Sequence, residues 1–130
     1  MVNPANPLSP AKILVAHDNI GFRRRCVLSL QSAGFDVTEA SSGADVFRLL
    51  GSLSFRILVL SLDFGNSDAF QVLKFVKREH PGVHVLAISD ESRGRLLEAA
   101  EFLGATAGLA NNEVRQRLAT TIRKLLGTAD

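Results

Sequence analysis

The chain has 130 residues, enough for one domain with a substantial core and too few for two. Apolar residues make up 46% of it, charged residues 22%, and the formal net charge is only +2, which speaks against disorder and against a strongly basic nucleic-acid surface. No apolar run approaches the roughly 18 residues of a membrane-spanning helix. The opening MVNPANPLSP has neither the basic nor the apolar region of a signal peptide. One cysteine, Cys26, excludes an internal disulfide and a cysteine-based metal spacing. The expectation is a cytoplasmic protein with no direct contact to nucleic acid or membrane. Residues 1–10 read as a flexible Pro-containing leader and 11–127 as one folded domain.

In chain order, KILVA (12–16) is a short buried strand. Residues 19–33 put Phe22, Cys26, Leu30 and Ala33 on one helical face, with Arg23, Arg24 and Arg25 mostly turned outward, and Gly34 ends the helix. Cys26 on that apolar face reads as a core thiol. FDVTEA (35–40) alternates like a half-buried strand, and SSGADVFRLLGS (41–52) reads as a short helix. FRILVLS (55–61) is the central buried strand, and residues 69–79 form a helix closed by HPG. VHVLAIS (83–89) is a further strand, 92–103 a helix ending at Gly104, and ATAGLA (105–110) a weak strand. Residues 113–126 place Val114, Leu118, Ile122 and Leu125 on one face of a last helix. Strict alternation of strand and helix predicts a parallel sheet covered on both faces.

In such a sheet the functional groups belong at the carboxyl ends of the strands. The first strand delivers His17, Asp18 and Asn19; the third Ser61 and Asp63; the fourth Ser89 and Asp90; the fifth Asn111 and Asn112. This is a polar rim with few charges. Neither a dinucleotide fingerprint nor a Walker loop is present, so no nucleotide site is indicated.

The segments ILVAHDN, AGFDVTEASSGADVFRLL, LVLSLDFGNSDAFQVLKFVK, HPGVHVLAIS and LGATAGLANN, in this order and spacing, resemble the receiver domain of bacterial two-component response regulators, of the chemotaxis-receiver kind. The likeness covers about residues 11–126. It implies a doubly wound, flavodoxin-like (βα)5 fold with strand order 2-1-3-4-5. It also implies a site that this chain only partly keeps. Receivers carry an acidic pair after strand one; here the first member is His17 and the second Asp18. The phosphoacceptor aspartate aligns with Ser61, and the Met-Pro of the following loop with Phe64-Gly65. The switch hydroxyl is kept as Ser89, the switch aromatic aligns with Gly108, and the Lys-Pro step becomes Asn111-Asn112.

In an ordinary receiver three carboxylates hold Mg²⁺, a hard ion that takes oxygen ligands, and the lysine helps neutralise the phosphoryl oxygens. A serine hydroxyl cannot form the acyl phosphate, and Asp18 alone would hold Mg²⁺ weakly at best. The chain therefore resembles a degenerate pseudo-receiver, not an enzyme and without a resident cofactor: a phosphorylation-independent interaction module. The resemblance implies a signalling partner (a histidine kinase, an output domain or another regulator) and a homodimer face on helix four, strand five and helix five. Arg93, Arg95, Glu98, Glu101, Arg115, Arg117 and Arg123 are the candidates for that face.

Alternatives attach to individual residues. Asp63 is the candidate for a relocated phosphoacceptor, with a plain turn carboxylate as the bland reading. Asp18 is either a vestigial metal ligand or the cap of the first helix. Asp68 reads as the cap of the third helix. A Ser61–His17–Asp18 hydrolase lacks the nucleophile elbow, and a flavin site lacks Trp and Tyr for stacking.

Overall fold

The computed structural model describes residues 11–63, 68–90 and 95–127. Along them run β1 (Lys12–Ala16), α1 (Ile20–Ser32), β2 (Asp36–Ala40), α2 (Gly43–Ser52) and β3 (Ile57–Ser61). They are followed by α3 (Asp68–Glu79), β4 (His84–Ser89), α4 (Arg95–Phe102), β5 (Ala107–Ala110) and α5 (Asn111–Leu125). The strands form one parallel sheet in the order β2-β1-β3-β4-β5, as expected. The leader, Phe64-Gly65 and Arg93 fall outside the described residues.

The two-residue period of a strand splits the buried positions between the sheet's faces. Leu14, Ala16, Leu58, Leu60, Val85 and Ala87 meet the apolar sides of α2, α3 and α4. Ile13, Val15, Ile57, Val59, Leu86, Ile88 and Leu109 meet α1 and α5 through Cys26, Val27, Leu30, Val114, Leu118 and Ile122. All five residues of β3 are buried, which explains its unbroken apolar run ending in a lone hydroxyl. Cys26 is a core thiol, and burial raises its pKa to about 11.

Gly34 takes φ +96°, the left-handed region that closes α1, and the Phe35 N–H returns to the Leu30 carbonyl at 3.1 Å.

Three local expectations change. The cap of α1 is Asn19, whose side chain accepts from the Phe22 N–H at 2.8 Å, so Asp18 is left outside the helix. Arg23 turns inward instead of outward, because Glu39 on β2 and the His17 carbonyl both lie within its reach. α5 begins at Asn111, two residues before the apolar periodicity starts. There the Glu113 carboxylate returns to accept the Ala110 N–H at 2.9 Å, which lets the helix follow β5 directly. Asp68 is the first described residue of α3, with the preceding position undescribed.

Gly108 marks where α4 crosses β5. A Cβ built there would lie 3.1 Å from Leu97 Cδ2, so Leu97 occupies the space a larger residue would need. Gly108→Phe is expected to lower stability by about 1–3 kcal/mol through overpacking. Urea unfolding checks this, with Leu97→Ala in the same chain recovering part of the loss.

Candidate functional site

With β1 between β2 and β3, the switch in winding direction falls at the carboxyl ends of β1 and β3, where a doubly wound sheet opens its crevice. Ala16 of β1 pairs in register with Leu60 of β3, so the next residues, His17 and Ser61, are neighbours on the rim. Both are buried: Ser61 is 1% exposed and His17 6%.

The hydrogen bonds define what these groups can do. The Asp63 N–H donates to Ser61 Oγ at 3.3 Å, turning the chain immediately after β3. Asp63 thereby lifts over the rim, and its Oδ2 accepts the Asp90 N–H at 3.1 Å, bridging the loops after β3 and β4. The Asn19 N–H donates to His17 Nδ1 at 3.0 Å. An Nδ1 that accepts carries no proton, so the neutral ring holds its proton on Nε2. That Nε2 is buried and has no partner among the described residues. The ring also stacks on Phe22 with centroids 4.7 Å apart. Asp18 Oδ1 lies 3.5 Å from Nδ1, but with that nitrogen accepting and the ring buried, the pair is not an ion pair.

The electrostatics run in opposite directions at the two titrating groups. Burial pushes the His17 pKa below its ordinary 6.5, and it outweighs the Asp18, Asp63 and Asp90 carboxylates. Burial likewise pushes the Asp63 carboxyl above its ordinary 3.8, against the Asp90 N–H that favours the carboxylate. For His17 the unfolded chain binds the proton more readily. Stability should therefore be lost as pH falls below about 6.5 toward the depressed native value, and recovered as pH rises. The raised Asp63 acts with the opposite sign, lowering stability as pH climbs from 3.8 through its native value. His17→Gln is expected to flatten the urea-midpoint profile between neutral pH and about pH 5.

The remaining rim residues are separated. Ser89 ends β4, fully buried and in register with Ala110. Asn111 opens α5 with a buried Oδ1 that has no partner among the described residues. Gly108 lies under Leu97 and pairs with Ala87. No three His, Cys, Asp or Glu side chains converge to hold a metal ion among the described residues. Sequence reading missed Arg23: its Nε donates to Glu39 at 2.8 Å and its Nη1 to the His17 carbonyl at 2.7 Å, tying β2, α1 and the rim together. The only sequence signal was an acidic residue, Glu39, on the neighbouring strand's end.

Of the proposed interaction residues, Arg95, Glu98 and Glu101 are exposed on α4, and Arg115, Arg117 and Arg123 on α5. Arg117 pairs with Glu113 one turn earlier at 2.9 Å. No helix of the described residues is long and apolar enough to cross a membrane.

A family model of the response regulator receiver domain matches residues 13–123. The chain belongs to that family. It is a receiver domain of two-component signalling. It is 28% identical over 80 residues to the transcriptional regulatory protein GlrR of Escherichia coli K12, covering 62% of this chain and 18% of GlrR. It is also 28% identical over 85 residues to the DNA-binding transcriptional regulator NtrC of Rhizobium meliloti, covering 65% of this chain and 18% of NtrC. The receiver thus spans less than a fifth of these relatives. Among solved structures, NtrX of Brucella abortus superposes with a TM-score of 0.86 at 22% identity, covering 93% of this receiver and 28% of that chain. The chemotaxis response regulator CheY4 of Vibrio cholerae gives 0.82 at 21% identity, covering 90% and 99%. At these identities the superpositions establish the fold.

Proposed function

We propose that this receiver works without phosphorylation at the aligned acceptor position, as a protein-interaction module in a two-component-type pathway. The observation that carries the reading is Ser61: a buried hydroxyl ends β3 and accepts a backbone N–H, where the family chemistry needs a carboxylate. An alcohol cannot make the mixed anhydride of an acyl phosphate. The rest of the rim points the same way. His17 presents a protonated Nε2 where an oxygen ligand belongs, and Asn111 supplies a neutral amide in place of a lysine. A donor set of imidazole, hydroxyl and separated carboxylates fits Mg²⁺ poorly. Asp18 is at most a vestigial metal ligand, and the domain is read as non-catalytic.

The partner is then a kinase, an output domain or another regulator that reads the scaffold's surface, in the cytoplasm and without direct nucleic-acid contact. The α4–β5–α5 face is the favoured surface, also for a second copy. Phe102 stands 91% exposed at the end of α4, beside the charges of Arg95, Glu98 and Glu101. Exposed ion pairs contribute only about 0–1 kcal/mol each, so apolar contact at Phe102 would have to supply most of the affinity.

A second reading is kept by one observation. Asp63 sits over the rim in electrostatic reach of His17, bonded to Asp90, so a relocated acceptor is geometrically available. Intact-mass measurement and two-dimensional NMR with Mg²⁺ and then acetyl phosphate or beryllofluoride separate the two. No mass gain and no shifts around Asp18 and Ser61 support the interaction module. A one-phosphoryl gain that Asp63→Asn abolishes would replace it with the relocated acceptor.

A further inference from the structure

A groove of about 650 Å³ runs between α1 and the first turn of α5, on the sheet face away from α2, α3 and α4. Its floor is apolar, made by Phe22, Cys26 and Val114. Its rim carries Arg25 and Arg115, both exposed, and no acidic side chain lines it among the described residues. Neither arginine has an acidic partner among the described residues; Arg25 instead lies over the Phe22 ring, 5.6 Å from its centroid. Asn111, at the end of the groove, holds the buried Oδ1 that accepts no hydrogen bond among the described residues. A volume of this size lies within the roughly 300–1,000 Å³ of small-molecule sites, which pair an apolar lining with a few convergent polar groups.

We propose that this groove binds a small amphipathic carboxylate carrying a hydrogen-bond donor near its charged end, as an N-acyl amino acid or a hydroxy fatty acid does. The acyl chain lies on Phe22, Cys26 and Val114. The carboxylate meets Arg25 and Arg115, whose planar forks suit it. The donor, an amide N–H or a hydroxyl, satisfies Asn111 Oδ1 once that side chain turns toward the groove, since the oxygen has no exposed surface as it stands. Occupancy also reaches the rim, because Phe22 forms a wall of the groove on one side and stacks on His17 on the other. The site would give a receiver with no phosphoryl input a chemical one, but it does not depend on how Ser61 is read.

The test is a two-dimensional NMR titration of the full chain with N-octanoylglycine and with its methyl ester, which keeps the amide and loses the charge. Saturable shifts confined to residues 22–29 and 111–115 and the His17 ring are expected. The ester should bind at least about tenfold more weakly, and Arg25→Gln and Arg115→Gln should each weaken the acid about fivefold. Both arginines are exposed, so the variants should keep the parent thermal midpoint, which separates lost binding from lost folding. Absence of saturation at millimolar ligand, equal affinity for the ester, or shifts centred on Phe102 would overturn the proposal. So would groove shifts that follow protein concentration alone, which would assign the groove to a second copy of the chain. No phosphodonor enters the experiment, so its failure leaves the reading of Ser61 untouched.

Discussion

Acetyl phosphate with Mg²⁺ is expected to leave the mass of the parent chain unchanged and to add one phosphoryl group to a chain carrying His17→Asp, Ser61→Asp and Asn111→Lys. The three positions are chosen by geometry. Residues 17 and 61 follow the registered pair Ala16 and Leu60, so two carboxylates placed there would face one another beside Asp18. That restores an oxygen donor set for a hard divalent cation. Position 111 opens α5 at the same edge of the sheet, where an ammonium can neutralise the transferring oxygens. Ser61→Asp alone should stay unmodified: it supplies the nucleophile but leaves His17 with its Nε2–H and Asn111 without charge. It should also be less stable than the parent, because its carboxylate enters a site only 1% exposed with one hydroxyl's worth of hydrogen bonding. Phosphorylation of the Ser61→Asp chain at the level of the triple variant would show that the lost acceptor, and not the lost cation environment, is what silences the site.

Packing makes the rim of the sheet more tolerant of substitution than its interior. His17 and Ser61 are polar groups at strand ends, where a substitution needs only a new hydrogen-bond partner. Ser61 finds one in the Asp63 N–H, and His17 finds one in the Asn19 N–H plus the face of Phe22. Behind them, Leu14, Leu58, Leu60, Val85 and Ala87 are essentially inaccessible and interlock with three helices. Removing any of the larger ones would leave a cavity costing about 2–5 kcal/mol. A substitution at a strand end therefore costs less than one among the side chains that hold the sheet.

The same contrast decided what could be read from residues alone. The alternation of strands and helices and the layering were legible because β1, β3 and β4 are continuous apolar runs between amphipathic segments, and because Gly34 and Gly104, both at positive φ, punctuate helix ends, whereas the strand order came only with the resemblance to receivers. The helix boundaries were less legible. Asp18 and Asn19 are both good caps, and only the turn of the chain after β1 decides that Asn19 takes the role. α5 starts early because of a side chain, Glu113, folding back on the backbone, which leaves no trace in apolar periodicity. At the site, the identities at positions 17, 61, 108 and 111 were plain. The protonation of His17, the bridge from Asp63 to Asp90 and the Phe22–His17 stack depend on distances between segments far apart in sequence. Arg23 was read as one of three solvated arginines, since helical spacing alone cannot show that a long side chain reaches across to β2.

Arg23 and Arg24 are expected to differ sharply although they are adjacent and bind the same carboxylate. Each donates to one oxygen of Glu39 at 2.8 Å. The Arg23 side chain is 11% exposed and also holds the His17 carbonyl; that of Arg24 is 57% exposed and has no such second contact among the described residues. In water-accessible surroundings an ion pair gains little, so Arg24→Ala should cost less than about 1 kcal/mol. Arg23→Ala removes a partly buried charge-assisted bond and leaves the His17 carbonyl without its guanidinium donor, and the cost should be about 2–3 kcal/mol. Arg23→Lys should recover only part of this, because an ammonium cannot hold Glu39 and the carbonyl with the planar fork. Chemical denaturation of the three variants checks the ranking, and NMR of His17 adds an independent readout. Losing the Arg23 charge should raise the His17 pKa toward its ordinary value, since the guanidinium is one of the groups lowering it, while Arg24→Ala should leave the ring unmoved. Equal costs for the two alanine variants would mean that Arg23 is only one more surface charge and that the rim is held by the backbone alone.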